Sequence, residues 1–318
     1  MKAYIFLLLV ITLILSACGE YVSSPRFTQT FYTVNATLKS GNTIWMDNPV
    51  WIGKSLSISQ LSTMDLFVPD AHVRILQTAP NGDTLSFPLM PWSQTDPESH
   101  MSITFYVDPA GHIIQPGHTY RIDIDILDYE KHIYAETTVP PAVQVIPNFN
   151  YSPPEGQGFT TDPNDNTTSM PYSQVDVHYP VTIGVNGPQS VYYSVDIYCR
   201  EPFSTQLEFT NPMFGQTYAP EELEDEYNEA QDGSVRRISI MSKFIPRQHT
   251  DGNWYVSLTD YKTAIVFYGR YRFTAQVFDE NLYKYKYMIE GYFHGGVHNA
   301  LGCFGSSSGG LLYTKIVK

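Results

Sequence analysis

Short segments in which apolar and polar residues alternate recur along this chain, and this period of two constrains the fold more than any other feature of the sequence. Residues 55–59 alternate strictly, and so do residues 120–126, whose isoleucines would face a core while the charged side chains face water. Neighbouring side chains of a β-strand point to opposite faces of a sheet, so the pattern predicts half-buried strands. Gly, Pro, Asn and Asp separate the segments, as in turns. We therefore expect an all-β fold.

The composition also suits a sheet. Aromatic residues make up 14% of the chain and charged residues only 16%. Aromatic side chains pack well on a pleated surface, and their abundance argues against disorder. Acidic residues outnumber basic ones and give a formal net charge of −13. Because such a chain repels the phosphates of nucleic acids, we exclude a nucleic-acid partner.

Three regions follow one another behind the N-terminus. Residues 28–145 hold about seven strand segments without a helical period, which predicts an N-terminal immunoglobulin/fibronectin-like sandwich. Within it, Asn81-Gly82-Asp83 predicts a hairpin turn. Residues 146–175 are rich in Pro, Gly, Asn and Asp, which predicts a linker or long loop. Residues 176–318 are expected to form a second β-rich domain with one or two short helices.

Two segments of the last region are helix candidates. Residues 220–231 begin with Pro and two Glu, as the first turn of a helix often does, because Pro has no N–H to satisfy and acidic side chains favour the positive end of the helix dipole. Residues 279–288 are the second candidate. An acidic helix of the first kind is usually a solvated face, and it would alternatively meet a basic partner.

The N-terminus has the pattern of a secretion signal with a lipid attachment site. Residues 3–15 are almost purely apolar, a run too short to span a bilayer comfortably. Leu-Ser-Ala-Cys at residues 15–18 then resembles the lipobox of bacterial lipoproteins. We expect residues 1–17 to be a signal peptide, Cys18 to be lipidated and residues 18–27 to form the tether. The alternative is a plain secretory signal with an incidental cysteine.

Lipid on Cys18 would make the membrane the first partner of the protein. A diacylglycerol thioether together with an amide-linked acyl chain, such as palmitate, buries enough methylene groups for stable anchoring. Gly19 and Glu20 follow the cysteine, in place of the Asp that retains lipoproteins in the inner membrane of enteric bacteria. We therefore expect the outer membrane, with the periplasmic and extracellular faces both open.

The two remaining cysteines, Cys199 and Cys303, allow two interpretations. In an oxidising cell envelope they could form a disulfide. They could equally be two buried free thiols, since Cys199 ends a strand-like segment and Cys303 lies among small and apolar residues.

Three motifs that suggest chemistry have simpler structural interpretations. Gly-Ser-Ser-Ser-Gly at residues 305–309 matches a nucleophile elbow, but only nine residues follow and none is acidic or His, so we predict a flexible hairpin turn. His294 and His298 have the spacing of a helical metal pair, but Gly-Gly between them argues against a helix. Residues 162–166 alternate oxygen ligands but lack the later Gly and Glu of a calcium loop. We predict no metal and no cofactor.

Thr84 is a candidate for O-glycosylation. Asp83-Thr84-Leu85 resembles the Asp-Thr/Ser-hydrophobic sites that are glycosylated in Bacteroidota, and it lies beside the predicted hairpin turn.

Several motifs together resemble a family of Bacteroidota lipoproteins named domain of unknown function 4249. Besides the lipobox, the motifs are residues 70–75, 116–122, 135–140, 295–296 and 302–305. Ala300-Leu301 between the glycine pairs, and Gly-Cys-Phe-Gly after them, depart from the usual pattern. The resemblance implies an envelope lipoprotein with a fibronectin-like N-terminal domain, often encoded beside a TonB-dependent outer-membrane receptor. It supplies no catalytic residues.

We therefore expect no enzyme but a non-catalytic binding or accessory module, with a TonB-dependent outer-membrane receptor as its candidate partner. A hydrolase needs a nucleophile, a base and an orienting group within reach of one another, and no motif supplies them. Carboxylate pairs that converge from distant strands would leave no such motif, so an envelope hydrolase is the last of the hypotheses. The main alternative is a fimbrillin-like surface adhesin or structural subunit, which would donate or accept a strand.

The Cys18→Ser variant tests the anchor. It lacks the thiol that would carry the lipid, so we expect an unprocessed or soluble protein instead of one that fractionates with the outer membrane. Metabolic labelling with a radioactive fatty acid and membrane fractionation measure this. Lipid labelling equal to that of the parent protein would exclude Cys18 as the attachment site.

Overall fold

The structure is a computed structural model with a mostly β fold and one short α-helix. It describes residues 30–46, 48–55, 66–95, 102–127, 129–146, 152–174, 181–185, 192–201, 207–213, 227–229, 236–238, 247–248, 254–256, 262, 265–287 and 294–318. Cys18, the signal peptide and the tether lie outside these residues, as does all of the predicted strand 55–59 except Ser55. No helix in the described ranges is long and apolar enough to cross a membrane.

The elements are numbered in chain order. The strands are β1 (Tyr32–Lys39), β2 (Trp51–Lys54), β3 (His72–Thr78), β4 (Thr84–Thr95), β5 (Ser102–Val107), β6 (Thr119–Asp125), β7 (Ile133–Thr138), β8 (Val143–Ile146), β9 (Ser169–Pro171), β10 (Val181–Val185), β11 (Tyr192–Cys199), β12 (Tyr227–Glu229), β13 (Arg236–Ile238), β14 (Arg247–Gln248), β15 (Trp254–Val256), β16 (Gly269–Phe278), β17 (His294–Gly295), β18 (Val297–His298) and β19 (Leu301–Val317), and the helix α1 spans Glu280–Tyr287.

The strands form three sheets. A nine-stranded sheet has the order β12-β13-β11-β16-β19-β1-β2, with β17 and β9 also paired to β19. A six-stranded sheet has the order β18-β7-β6-β3-β4-β5, and a four-stranded sheet the order β14-β15-β10-β8. Every sheet therefore joins strands from both sides of the predicted linker, and the six-stranded sheet does so through β18 alone. The predicted domain boundaries stay a prediction.

The alternating segment at residues 120–126 forms the strand that its pattern predicts. In β6, Tyr120, Ile122 and Ile124 are fully buried, while the charged residues between them face outward. The turn after β3 is closed by the Ala79 N–H, which donates to the Asp83 carbonyl at 2.8 Å, and β4 pairs antiparallel with β3. The predicted hairpin is therefore confirmed.

The main hydrophobic core lies between the six-stranded sheet and the β1–β2 end of the nine-stranded sheet. Its members are the inward-facing residues of these strands, among them Val34, Leu38, Ile52, Ile75, Ile122, Ile133 and Phe304. Phe304 comes from β19, near the other end of the sequence. The two halves of the chain thus share one core.

The segment at residues 305–309 is not a hairpin turn, so this prediction is wrong. It lies inside β19, a strand of 17 residues, and Ser306, Ser307 and Ser308 are all buried. Gly and Ser are common in turns, but here they serve close packing on both faces of a strand. A Cβ on Gly305 would lie 2.6 Å from the Leu282 Cβ, and one on Gly310 would lie 2.3 Å from a Val145 methyl carbon.

One of the two predicted helices is confirmed. Residues 279–288 contain α1, whose first turn holds Glu280. The prediction of a helix at 220–231 is wrong for Tyr227–Glu229, because these residues form a strand that pairs antiparallel with Arg236–Ile238. The rest of that segment lies outside the described residues. Pairing with a distant strand overrides local helix propensity here.

The described part of the predicted loop, residues 152–174, packs against the C-terminal half of β19. The backbone of Thr160 exchanges two hydrogen bonds with Tyr313, at 2.9 and 2.8 Å. The Thr314 hydroxyl donates to the Gly158 carbonyl at 2.7 Å, and Phe159 is buried. β9 then pairs in parallel with the end of β19.

The Asp279 carboxylate joins α1, β19 and β7. Oδ1 accepts from the Leu282 N–H at 3.0 Å and from the Ser306 N–H at 2.9 Å, so Asp279 is also the N-cap of the helix. Oδ2 accepts from the Thr137 hydroxyl at 2.7 Å. Burial raises the pKa of this carboxyl, and the hydrogen bonds oppose the rise.

Asp279→Ala would leave the Ser306 N–H without its acceptor, remove the helix cap and take one partner from the Thr137 hydroxyl, which keeps its contact of 2.7 Å with the Ser306 hydroxyl. We expect it to lower the free energy of unfolding by about 2–4 kcal/mol, since buried donors without partners cost about 1–3 kcal/mol each and a lost cap about 1 kcal/mol. Urea unfolding measures this. Glu280→Ala, which removes an exposed side chain of the same helix turn, is the matched control and should cost less than about 0.5 kcal/mol. Equal losses in the two variants would contradict the role of Asp279.

Candidate functional site

A cleft of about 320 Å³ lies between α1 and the outer face of the nine-stranded sheet. We call it the helix cleft. Its walls are Asn35, Ala36, Thr37, Lys39, Asn48, Pro49, Trp51, Gln276, Phe278, Leu282, Lys286 and Ser307. This volume is at the lower end of the range of ligand pockets, roughly 300–1,000 Å³, and suits a small molecule.

The floor of the helix cleft follows from the register of four neighbouring strands. In β1, Asn35, Thr37 and Lys39 lie on the face opposite the core and line the cleft. Trp51 of β2 pairs with Asn35, and Ser307 of β19 pairs with Lys39 on one side and with Phe278 of β16 on the other. Paired residues of adjacent strands point to the same face of a sheet. The cleft residues are therefore distant in sequence but adjacent in register.

Glycine sets how close the helix comes to this floor. Leu282 packs with Phe278 and Cys303 in a small apolar cluster, directly above Gly305, where a side chain would collide with it. The helix therefore packs closely on β19 at Gly305. Further along the strand, the side chain of Ser307 is small. The space between the helix and β1 is the cleft.

Asn48 is the least satisfied polar group of the cleft wall. Its residue is only 6% exposed, and its side-chain Nδ2 has no hydrogen-bond partner among the described residues. Its backbone N–H donates to the Trp45 carbonyl at 2.8 Å, which fixes the residue before β2. A buried donor without a partner costs about 1–3 kcal/mol. Because Nδ2 is itself almost fully shielded, an acceptor atom on a bound molecule would supply the missing hydrogen bond only after the side chain turns toward the cleft.

The charged residues in the described lining of the cleft are both cations. They are Lys39 and Lys286, on a chain whose formal net charge is −13. The Lys286 ammonium also lies 5.3 Å from the centre of the Phe278 ring.

A second surface, which we call the His132 cluster, lies on the outer face of the six-stranded sheet. The His132 ring contacts Asp125 at 2.7 Å through Nδ1 and Asp123 at 2.8 Å through Nε2. Hydrogen bonds to Asp125 and Asp123 raise the pKa of His132. Burial would raise the pKa of Asp123, but hydrogen bonds from Arg121 and His132 outweigh it and lower that pKa. A groove of about 740 Å³ adjoins the cluster and is lined by Asp70, His72, Met90, Leu127 and their neighbours.

An aromatic stack continues the His132 cluster. The ring of Tyr134 stacks on His298 with centroids 4.4 Å apart and faces His132 at 6.1 Å. The Arg121 guanidinium lies over the same Tyr134 ring at 4.7 Å. His298 therefore has a packing role on β18. No group of three or more His, Cys, Asp or Glu suited to a metal ion is found in the described part of the chain.

Cys199 and Cys303 are both free and buried. Cys199 pairs with Tyr271, which pairs with Thr314, eleven residues along β19 from Cys303. At roughly 3.3 Å per residue the separation along the strand is roughly 35 Å, and a disulfide needs Cα atoms within roughly 7 Å. Of the two interpretations, the fold therefore supports free thiols, and a disulfide between them is incompatible with it.

The other predicted site residues lie apart from the helix cleft. Thr84 is exposed at the start of β4, where a glycosyltransferase could reach it. In the loop at 162–166, both oxygens of Asp165 accept hydrogen bonds from Thr167 and Thr168, which lower the pKa of this carboxyl. The loop's own donors thus occupy this carboxylate. Trp92 of β4 is exposed beside Trp45, with ring centroids 5.9 Å apart.

Sequence reasoning did not find the helix cleft. Asn35, Asn48 and Gln276 carry no motif, because amide side chains occur throughout loops and strands. The nearest signal was the run of small residues at 305–310, which we interpreted as a turn.

A scan against protein-family models finds no match to this chain, and a search of curated proteins finds no relative.

The raised pKa of His132 gives a pH-dependent stability. A histidine whose folded-state pKa exceeds its ordinary value of 6.5 stabilises the fold below that value and loses the effect as the pH rises through the folded pKa. We expect His132→Gln to lower Tm by about 1–3 °C at pH 5.5, and the difference to disappear by pH 9. Differential scanning calorimetry measures both. The control is His72→Gln, for which the described residues offer no carboxylate hydrogen bond. A difference independent of pH would refute the pairing.

Proposed function

We propose that this chain is an envelope lipoprotein that binds a small hydrophilic molecule in the helix cleft and acts as a non-catalytic accessory module. The observation that carries the proposal is the amide of Asn48, which belongs to the cleft wall and whose Nδ2 has no partner among the described residues. A buried polar group in a native structure calls for a hydrogen-bond partner, and a ligand in the cleft would supply one. The amides and hydroxyls of Asn35, Thr37 and Ser307 line the same space.

The location and the partner in this proposal come from the N-terminal sequence. The apolar run and Leu-Ser-Ala-Cys18 support secretion and lipid attachment, and Gly19-Glu20 after the cysteine supports the outer membrane as the location of the binding site. The resemblance to the lipoprotein family supports a TonB-dependent receptor as the partner that receives the bound molecule.

The first part of the chain would serve as the scaffold, as an immunoglobulin/fibronectin-like sandwich. In support, β1 and β2 share one hydrophobic core with β3, β6 and β7. β1 contributes inward residues to that core and outward residues to the cleft. The sandwich would therefore position half of the binding site.

A binding role fits the groups in and around the cleft better than catalysis does. Amides, hydroxyls and lysines hold a ligand by hydrogen bonds, and a nucleophile would need an adjacent base. Cys303 lies beneath the helix, where burial raises the pKa of its thiol to about 12. Such a thiol is almost entirely protonated at neutral pH and so is a poor nucleophile.

Ligand binding to the mature protein tests the proposal. We expect saturation-transfer difference NMR with neutral, acidic and amino monosaccharides to detect a binder, and Asn48→Ala to weaken its Kd about fivefold, the value of one hydrogen bond. The free energy of unfolding of the unliganded variant should not fall and should rise by up to about 1–3 kcal/mol, because Ala removes a buried donor that has no partner among the described residues.

Asn81→Ala, in the exposed hairpin turn, is the matched control and should leave Kd unchanged. Absence of binding throughout the panel would refute the proposed function, and so would an Asn48→Ala variant that binds as tightly as the parent.

A further inference from the structure

We propose that the helix cleft is one end of a longer site, which binds an unbranched oligosaccharide by stacking its further rings on a tryptophan surface. We define the tryptophan surface as Trp45, Trp51, Trp92 and Phe105. The inference rests on the proposed function and adds to it the chemical class and the length of the ligand.

Three of the four tryptophans of the chain meet at this surface. Trp92 of β4 pairs with Phe105 of β5, and paired residues of adjacent strands point to the same face of a sheet. The Trp51 ring lies 5.1 Å from the Phe105 ring, and the Trp45 ring lies 5.9 Å from the Trp92 ring, measured between centroids. The rings therefore form one continuous series from Trp51, through Phe105 and Trp92, to Trp45.

The tryptophan surface is continuous with the helix cleft at two places. Trp51 lines the cleft and is the first ring of the series. The Asn48 N–H donates to the Trp45 carbonyl at 2.8 Å, which closes a β-turn. One end of this turn carries Trp45 on the surface, and the other end carries Asn48 in the cleft wall. A ligand that extends out of the cleft past Trp51 or Asn48 therefore meets the tryptophan surface next.

The two outer rings of the series are accessible. Trp45 is 39% exposed and Trp92 is 44% exposed, although Trp is on average among the more buried residues of folded proteins. A single exposed apolar side chain needs no explanation, but adjoining ones often mark a binding surface. Met46, which follows Trp45 in the turn, is exposed as well. The surface has the exposure of a site that a ligand would cover.

A sugar chain has the chemistry that suits both parts of this site. The face of a sugar ring presents C–H groups, which lie well on the electron-rich face of an aromatic ring, while the hydroxyls at its rim stay in water. In the cleft, the amide of Asn35 and the hydroxyls of Thr37 and Ser307 both donate and accept hydrogen bonds, as sugar hydroxyls do. The terminal ring would therefore be held by polar groups, and the following rings by stacking.

The exposed area is too small for a protein partner. The exposed parts of Trp45 and Trp92 amount to about 200 Å², since a Trp side chain has an area of roughly 250 Å². A stable protein interface buries about 800 Å² on each partner. A short stretch of sugar chain is enough to cover the two rings.

A lipid surface also fits this geometry less well than a saccharide does. Trp92 and Phe105 lie on the face of a strand pair, and the series of rings leads along that face to the cleft. Protein segments that enter the boundary of a bilayer are typically amphipathic helices, whose apolar side chains point together into the lipid. The oligosaccharide is therefore the occupant that both the cleft and the surface support.

Titration of the mature protein with five sugars, followed by calorimetry and by tryptophan fluorescence, tests the inference. The sugars are D-glucose, its trimers maltotriose and cellotriose, N-acetyl-D-glucosamine and its β-1,4-linked trimer. We expect at least one trimer to bind about tenfold more tightly than its own monosaccharide, the order of gain that stacking on an aromatic side chain gives to nucleic-acid bases. Binding should also shift the fluorescence to shorter wavelength, because the sugar displaces water from the indole rings.

Trp92→Ala should bring the affinity for that trimer to within about twofold of the affinity for the monosaccharide, since it removes one stacking platform. Its affinity for the monosaccharide should equal that of the parent protein, because Trp92 is not among the described residues that line the cleft. Trp92→Phe keeps an aromatic face and should keep most of the gain. Trp45→Ala, in the exposed turn, is a second test of the surface and should reduce the gain as well.

The matched control is Leu311→Ala, which removes an apolar side chain of similar exposure from β19 and should bind every sugar as the parent protein does. Asn48→Ala should weaken the monosaccharide and the trimer by the same factor, because both place a ring in the cleft. Circular dichroism confirms that each variant is folded.

The other outcomes separate this inference from the proposed function. Trimers that bind no more tightly than their monosaccharides, or a gain that Trp92→Ala and Trp45→Ala leave intact, would overturn the inference alone. Absence of binding for all five sugars would overturn it too, and the proposed function would fall with it only if the full monosaccharide panel were also negative.

Two further measurements address the other occupants of the surface. We expect the Cys18→Ser chain, which has no lipid, to remain unbound in flotation with phosphatidylcholine vesicles, and its sedimentation to be the same with and without Trp92→Ala. Vesicle binding that Trp92→Ala abolishes would assign the surface to a membrane and overturn the inference. A dimer that this substitution dissociates would assign it to a second copy of the chain, with the same consequence.

Discussion

The pairing of β19 with its two neighbours is the interaction on which the rest of the structure depends. This strand pairs in parallel with β1, from the start of the described chain, and antiparallel with β16. Parallel neighbours need a long connection, and here it includes nearly the whole sequence. Removing β19 would separate β1 and β2 from the other strands of the nine-stranded sheet and would take Phe304 out of the main core.

Close packing on both faces explains why the middle of this strand is made of small residues. On one face, Ser306 and Ser308 donate hydrogen bonds to the carbonyls of Thr138 and Pro140, where the chain leaves β7. On the other face, Gly305 lies directly beneath Leu282 of the helix. A strand of large apolar side chains would hold both layers farther away. The Asp279 carboxylate then fixes the helix to β19 and β7 at the same place.

The helix cleft is a consequence of this arrangement. The helix is held tightly at its first turn, through Asp279 and Leu282, and the sheet continues beneath its last turn toward β1 and β2. Between these surfaces lies a space lined by polar groups, one of which, Asn48, has a side-chain nitrogen without a partner. Binding sites often lower the stability of the unliganded protein, because a polar group that a ligand would satisfy lacks that hydrogen bond when the ligand is absent.

The sequence by itself determined the local elements of this protein. Alternation in β6, the turn at Asn81–Asp83 and the helix after Asp279 were all predicted, because each depends on residues that are near one another in the chain. The expected signal peptide and lipid attachment at Cys18 rest on equally local patterns, and they stay predictions. The tertiary structure alone decided that residues 305–309 lie inside a strand and that residues 227–229 pair as a strand. It also decided that the two buried cysteines are far apart. The helix cleft belongs to the same class, since Asn35, Asn48, Gln276 and Ser307 meet only through the register of strands distant in sequence. Long-range pairing leaves no periodic signal in the sequence, because it depends on which strands become neighbours.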